Sequence, residues 1–348
     1  MVHQYQLNGY NIVLDTCSGS VHVVDEVAYD VIAMYPDHTA DEIVAAMMAK
    51  YGDREDVTEA DLRQCIDDVA SLKESGKLWS PDTYENLAFD FKNRNTVVKA
   101  LCLHVAHTCN LNCSYCFASQ GRYQGERALM SFEVGKRAMD FLIENSGSRR
   151  NLEVDFFGGE PLMAMDTVKK TVEYARSLEK EHDKVFRFTI TTNGVLLNDE
   201  NIEYINREMS NVVLSLDGRP GVNDHMRPTV NGKGSYEVIV PKFQKLVAGR
   251  GTKDYYARGT FTRENLDFGE DVKHLASLGF RSVSVEPASG PLDDPFAIKE
   301  EDLPQVKAEY EKLAGELMGR KDVNFFHFNV DLKQGPCVIK RLRGCGAG

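Results

Sequence analysis

The chain carries a compact cysteine run, CNLNCSYC, in which Cys109, Cys113 and Cys116 follow a C-x3-C-x2-C spacing. The run comes just after Leu101–Ala106, an apolar stretch that is typical of a strand. Soft thiolates on one short loop can bind three irons of a cubane [4Fe–4S] cluster. The next cysteine along the chain is Cys337, so one iron of such a cluster would stay open to bind and activate a substrate.

Two other interpretations of the cysteine run stay open at this point: a structural zinc site, and three unrelated buried thiols. Structural zinc sites use four ligands, usually in paired C-x2-C or Cys/His sets. The spacing of this run therefore favours the cluster over zinc.

The same spacing resembles the signature of the radical S-adenosylmethionine enzymes. In that family the amino and carboxylate groups of S-adenosylmethionine chelate the open iron. The reduced cluster then cleaves this cofactor to methionine and a 5′-deoxyadenosyl radical. The resemblance implies that Tyr115 lies beside the adenine, and that an external electron donor of the flavodoxin or ferredoxin type supplies the electron.

Three later motifs, FGGEP, TTNG and SLDGRPGVNDHMR, resemble the cofactor-binding segments of this family. The resemblance assigns cofactor contacts to Gly158, Gly159, Glu160, Pro161, Thr192, Asn193, Ser215 and Arg227. The residue types suit the task, because glycines permit close backbone approach and Glu160 can accept a hydrogen bond from an ammonium group. The planar fork of Arg227 can bind a carboxylate with two hydrogen bonds. Ordinary strand-end turns are the alternative, and Asp217 is interpreted as a cap.

Strand and helix patterns alternate from Lys99 onward, which predicts parallel strands with helices outside. The predicted strands are Leu101–Ala106, Leu152–Phe157, Phe186–Thr191, Val212–Leu216, Tyr255–Thr260 and Ser282–Glu286. We therefore expect an α/β fold in which residues 99–325 form the partial (β/α)6, TIM-like barrel of the radical S-adenosylmethionine family. Function in such barrels collects at the C-terminal ends of the strands, where the motifs fall.

Residues 1–80 predict a separate small α+β domain with three strands, three helices and a last strand at Leu78–Trp79. This order resembles the winged-helix-like element that recognises the leader of a precursor peptide by adding it as a strand to the sheet edge. A DNA-binding winged helix and a structural cap are the alternatives. Residues 81–98 are polar and irregular, which predicts a linker.

Residues 326–348 resemble the entry to a SPASM domain, a cysteine-rich extension that holds auxiliary [4Fe–4S] clusters. Cys337 and Cys345 match the first ligands of such a cluster, although two cysteines cannot complete a cubane. We expect the sequence to be truncated within this region. The alternative is that both thiols are bystanders.

Bulk composition limits the class of protein. A formal net charge of -12 argues against a nucleic-acid partner, because phosphate binding draws on clustered Lys and Arg. No hydrophobic run reaches the ~20 residues that span a bilayer. The N-terminus lacks the basic and apolar regions of a secretory signal. We therefore expect a cytoplasmic protein without a membrane partner.

The three regions together resemble the maturases of six-cysteine (SCIFF) precursor peptides. That resemblance implies thioether bonds between a cysteine sulfur and a carbon of the peptide, and a leader bound at residues 1–80. The alternatives are a sulfatase-maturase-like oxidase that makes formylglycine, and a non-catalytic leader-binding protein with a redox cluster. The sequence predicts no catalytic residue beyond the cluster and the cofactor.

Overall fold

The computed structural model describes residues 1–83 and 97–329, which form two compact units. The first unit starts with an antiparallel sheet in the order β1-β2-β3 and continues with three helices. Its elements are β1 Val2–Leu7, β2 Tyr10–Asp15, β3 Ser20–Val24, α1 Glu26–Met34, α2 Ala40–Tyr51 and α3 Glu59–Glu74. The hairpin turn is Asn8-Gly9, and both residues have positive φ, as a two-residue hairpin turn requires. Capping boxes at Thr39 and Thr58 begin α2 and α3, as the sequence predicts.

The predicted last strand at Leu78–Trp79 is wrong. Trp79 has a φ of 47°, a left-handed conformation that an extended strand does not contain. Leu78 is fully buried in the core of this unit, and the Trp79 ring stacks on Tyr35 with ring centroids 5.1 Å apart. Packing against the helices therefore decides the path of this segment. Most of the predicted linker, residues 84–96, lies outside the described residues. Cys337 and Cys345 also lie outside them, in residues 330–348.

The second unit contains a seven-stranded parallel sheet whose strands follow one another in chain order. Its strands are β4 Ala100–Ala106, β5 Asn151–Gly158, β6 Val185–Thr192, β7 Asn211–Ser215, β8 Tyr256–Phe261, β9 Ser282–Pro287 and β10 Asn324–Phe325. Its helices are α4 Phe132–Glu144, α5 Met165–His182, α6 Asp199–Glu208, α7 Pro220–Met226, α8 Tyr236–Ala248, α9 Phe268–Ser277 and α10 Leu303–Leu317. The α/β, partial TIM-like barrel is confirmed. The sequence missed β10 and α7, because two or seven residues are too short to show a period.

Alternation along the strands separates a core face of the sheet from the opposite face. On β6, Phe186 and Phe188 are buried in the main hydrophobic core, whereas Arg187 between them and Thr189 and Thr191 beyond them point to the opposite face. Parallel strands that run in chain order bring all their C-terminal ends to one rim. No helix among the described residues is long and apolar enough to cross a membrane.

Candidate functional site

One cavity of about 480 Å³ lies at the C-terminal rim of the barrel. It gathers residues from the ends of successive strands and from the loop after β4. Every predicted site residue in the described ranges lines it: Cys109, Cys113, Tyr115, Cys116, Gly158, Gly159, Glu160, Pro161, Thr192, Asn193, Ser215 and Arg227. Motifs up to 118 positions apart in the chain, from Cys109 to Arg227, thus face the same space.

The loop that carries the three cysteines is fixed to the end of β5 by backbone contacts. Gly159 N donates to Ala106 O at 2.7 Å, and Glu160 N donates to Thr108 O at 3.0 Å. Further along, the loop doubles back so closely that a Cβ on Gly121 would lie 2.8 Å from Gly159 Cα and 2.9 Å from the Thr108 carbonyl carbon. Only glycines permit this approach. Gly159 of FGGEP therefore has a structural role in addition to the predicted cofactor contact.

The three thiols are half-buried. Burial raises the pKa of Cys109 and raises that of Cys113 to about 12. The Cys109 sulfur also accepts hydrogen bonds from Leu111 N at 3.4 Å and from Asn193 Nδ2 at 3.6 Å. Because thiolates are the ligands of iron, binding of a cluster has to release the thiol protons.

The three thiols suit the ligand set of a cluster, because a cubane binds each thiolate to a different iron. Cys109, Cys113 and Cys116 all line the cavity, and the described residues supply no fourth cysteine to it. No three His, Cys, Asp or Glu side chains in residues 1–83 and 97–329 form a group that could hold one metal ion.

Glu160 is held rigidly at the back of the cavity. Its Oε1 accepts from Leu162 N at 2.9 Å and from Thr192 Oγ1 at 2.8 Å, while Oε2 accepts from Asn193 N at 2.7 Å. Burial raises the pKa of Glu160, and these three hydrogen bonds oppose that rise. A carboxylate has about four acceptor positions, so about one is left, on Oε2. That position suits one further donor, such as an ammonium group.

Arg227 is the buried cation of the site. Its Nη1 donates to the Tyr115 hydroxyl at 2.8 Å and lies 3.6 Å from Asp217 Oδ1. Burial disfavours its charge, but Tyr115, Cys113 and Asp217 outweigh burial and raise the pKa of Arg227. Its buried Nε has no hydrogen-bond partner within the described ranges. An unpaired buried donor at the wall of a cavity points to a ligand that accepts a hydrogen bond.

Asp217 has a larger role than the predicted cap. Its carboxylate is fully buried and accepts from the Tyr115 hydroxyl at 2.7 and 2.9 Å and from Thr260 N at 3.1 Å. Burial raises the pKa of Asp217, which Arg227 and the Tyr115 hydroxyl oppose. The Tyr115 hydroxyl is therefore bound between a cation and an anion, and this arrangement fixes the ring at the cavity wall.

The polar residues of the cavity that sequence reasoning missed include Arg258 and Thr260, whereas Glu286 lies in the stretch Val285–Ala288, which resembles the segment that packs its backbone against adenine in the radical S-adenosylmethionine family. Arg258 lies on β8 beside Ser215 of β7, where its neighbours Ala257 and Gly259 are buried on the other face. A charged residue inside an otherwise apolar strand was the available signal. It indicates a side chain that faces a polar lumen rather than the core.

Comparison with known proteins supports this geometry. Residues 103–256 match the Radical SAM superfamily. An uncharacterized protein of Methanocaldococcus jannaschii is 30% identical over 54% of this chain and 62% of its own length. The radical SAM cyclopropyl synthase TigE of Paramaledivibacter caminithermalis is 26% identical, over 52% of this chain and 41% of TigE. A cysteine-type anaerobic sulfatase-maturating enzyme of Clostridium novyi is 26% identical, over 54% of this chain and 50% of the enzyme. The chain thus spans about half the length of these relatives.

Solved structures share the fold at low sequence identity. The enzyme anSMEcpe with bound AdoMet superposes with a TM-score of 0.59 at 17% identity, covering 67% of this chain and 64% of its own. Streptococcus suis SuiB bound to S-adenosylmethionine gives a TM-score of 0.51 at 16% identity, covering 93% of this chain and 71% of its own. Residues 103–256 are therefore similar to the Radical SAM superfamily, which implies a [4Fe–4S] cluster and S-adenosylmethionine as cofactors.

Proposed function

We propose that this chain is a radical S-adenosylmethionine enzyme that installs thioether bonds, from cysteine sulfur to carbon, in a ribosomally made cysteine-rich peptide. The observation that carries the proposal is the single cavity in which three thiols meet Glu160 and Arg227. When bound, the cluster and S-adenosylmethionine supply a 5′-deoxyadenosyl radical, which removes a hydrogen atom from an unactivated C–H bond. The protein supplies binding and orientation around this cofactor.

Residues of opposite charge suit the two charged groups of the methionyl part of S-adenosylmethionine. The remaining acceptor position of Glu160 suits the ammonium, and the unpaired Nε of Arg227 together with the Ser215 hydroxyl suits the carboxylate. Tyr115 presents its ring to the cavity while its hydroxyl is held by Arg227 and Asp217. Opposite charges at fixed positions select one orientation of a zwitterionic ligand.

A peptide substrate is supported by two observations. The neighbouring structures include anSMEcpe with bound AdoMet and Cp18Cys peptide, at a TM-score of 0.56 and 18% identity. In addition, β3 is an edge strand of the first unit with Val21 40% and Val23 63% exposed. An open edge of this kind can accept a peptide as an added strand. We propose that a leader peptide binds there.

The decisive experiment uses anaerobically reconstituted protein with S-adenosylmethionine, dithionite and the product of a small cysteine-rich reading frame beside the gene. We expect 5′-deoxyadenosine together with a mass loss of two hydrogens per thioether formed. Cys113→Ala should abolish both signals because an iron ligand is lost. The matched control, Cys102→Ala, removes an exposed thiol outside the cavity and should keep them. An unmodified peptide with the wild-type protein contradicts the proposal.

Formylglycine formation is the second candidate, because a cysteine-type sulfatase-maturating enzyme is among the relatives. The same mass spectra separate the two. A thioether keeps every sulfur of the peptide, whereas formylglycine made from cysteine exchanges sulfur for oxygen. The cytoplasmic location, the flavodoxin- or ferredoxin-type donor and any auxiliary cluster at Cys337 and Cys345 stay predictions from the sequence.

A further inference from the structure

Glu286 is a cavity carboxylate that the cofactor motifs do not use. It lies near the end of β9, and its side chain is 29% exposed. Ser284 Oγ donates to its Oε1 at 2.5 Å, and His327 Nε2 lies 3.0 Å from its Oε2. Each oxygen therefore has one partner and about one acceptor position left. The carboxylate is held in place yet can still accept a proton from the cavity.

A second hydrogen bond sets the orientation of His327. Its Nδ1 lies 2.8 Å from the hydroxyl of Tyr310 on α10. Burial raises the pKa of Tyr310 to about 12, so this hydroxyl stays protonated and can donate to Nδ1. The neutral imidazole then carries its proton on Nε2 and donates it to Glu286. Tyr310, His327 and Glu286 thus form a chain of three side chains that ends in the cavity.

The charges around Glu286 keep it ionised. Burial raises its pKa, but the hydrogen bonds from Ser284 and His327 and the charge of Arg258 outweigh burial and hold the pKa below its ordinary value. The charge of Glu286 in turn contributes to the raised pKa of Tyr310. The lowered pKa weakens Glu286 as a base but keeps it ionised, and its fixed orientation and open acceptor positions let it take a proton from a group within hydrogen-bond reach.

We propose that Glu286 is the general base that takes the proton from a cysteine thiol of the peptide bound in the cavity, with Ser284, His327 and Tyr310 as positioning residues. The proposal rests on the proposed function, since a thioether needs a sulfur that has lost its proton. In this step the S–H bond breaks, an O–H bond forms on Glu286 and the electron pair stays on sulfur. No electron is gained or lost.

Glu286→Gln keeps the shape of the side chain and removes the base. We expect peptide product to fall by about 100-fold or more, as loss of general-base catalysis does, while 5′-deoxyadenosine formation stays within about threefold of wild type. Glu286→Asp should recover part of the product. Glu311→Gln, an exposed residue next to Tyr310, is the matched control and should change neither signal. The proposal is overturned if Glu286→Gln forms peptide product within about threefold of wild type. It is also overturned if peptide product and 5′-deoxyadenosine fall equally.

The role of the positioning residues is tested by a measurement that requires neither cofactor nor peptide. Nitrogen-15 NMR of labelled histidines reports the tautomer of His327. The His327 signal is assigned as the one that disappears in His327→Gln. We expect the Nε2–H form in the wild type, and a smaller fraction of it in Tyr310→Phe, which removes the donor to Nδ1. An Nδ1–H tautomer in the wild type contradicts the chain of contacts. A wild-type protein that shows the expected tautomer but makes no 5′-deoxyadenosine counts against the proposed function instead.

Discussion

Substituting Gly159 by alanine should destabilise the second unit and displace Cys109. The new Cβ would overlap the Thr108 carbonyl oxygen and would lie 2.6 Å from the Thr108 carbonyl carbon and 2.9 Å from Gly121 Cα. All three are backbone atoms, so rotation of a side chain cannot relieve the overlap. The cysteine loop must move away from the end of β5 instead.

The size of the effect follows from this geometry. An extra methyl group in a closely packed site costs about 1–3 kcal/mol. Separation of the loop also weakens the Gly159 N to Ala106 O hydrogen bond of 2.7 Å, which adds about 1 kcal/mol. We expect the free energy of unfolding to fall by about 2–4 kcal/mol. For a unit of this size, that corresponds to a Tm lower by about 4–16 °C.

Circular dichroism of the metal-free protein measures the Tm. Iron content after anaerobic reconstitution measures how much cluster the three thiols bind. The single tryptophan, Trp79, lies in the first unit, so its fluorescence should show an unchanged transition. The matched control is Gly221→Ala on α7, where a Cβ meets nothing within 4 Å. Alanine there should be neutral or stabilising by up to about 1 kcal/mol.

Two results would refute this reasoning. The first is a Gly159→Ala protein whose Tm lies within about 2 °C of wild type and which binds the same amount of iron. The second is an equal loss in Gly221→Ala, which would show that the effect does not come from the backbone approach at Gly159.

Three further predictions concern buried and paired carboxylates. Asp217→Asn should lower the free energy of unfolding in urea by about 3 kcal/mol, because it leaves the Arg227 charge buried without its anion; no change would contradict the ion pair. Burial raises the pKa of Asp155 from 3.8 to about 6, so this carboxyl contributes stability below pH 3.8 that is lost as pH rises through 6. Asp155→Asn should therefore stabilise the protein by about 3 kcal/mol at pH 8 and little at pH 4, measured by urea unfolding at both pH values. Hydrogen bonds from Lys273 and Lys312 lower the pKa of Glu270 from 4.5 to about 2, so its contribution is present above pH 4.5 and is lost as pH falls through 2. Glu270→Gln should cost less than about 1 kcal/mol at pH 7, because the pair is exposed, and nothing at pH 2.

The sequence alone determined the parts of this protein that depend on residue type and local spacing. The period of apolar residues indicated six of the seven described barrel strands, and the capping boxes at Thr39 and Thr58 were readable as motifs. The C-x3-C-x2-C run and the FGGEP motif indicated the cofactors. Parallel strands in chain order explain why these motifs share one rim.

Only the tertiary structure decided the contacts between distant residues. Asp217 reads as a turn residue in the chain, yet the fold buries it between Tyr115 and Thr260. Glu286 and His327 are 41 positions apart and meet because β9 and β10 are neighbours. Local sequence carries the preference of a segment for a strand, a helix or a turn. Which side chains then lose water together, and so change their pKa values and hydrogen-bond partners, depends on how those segments pack.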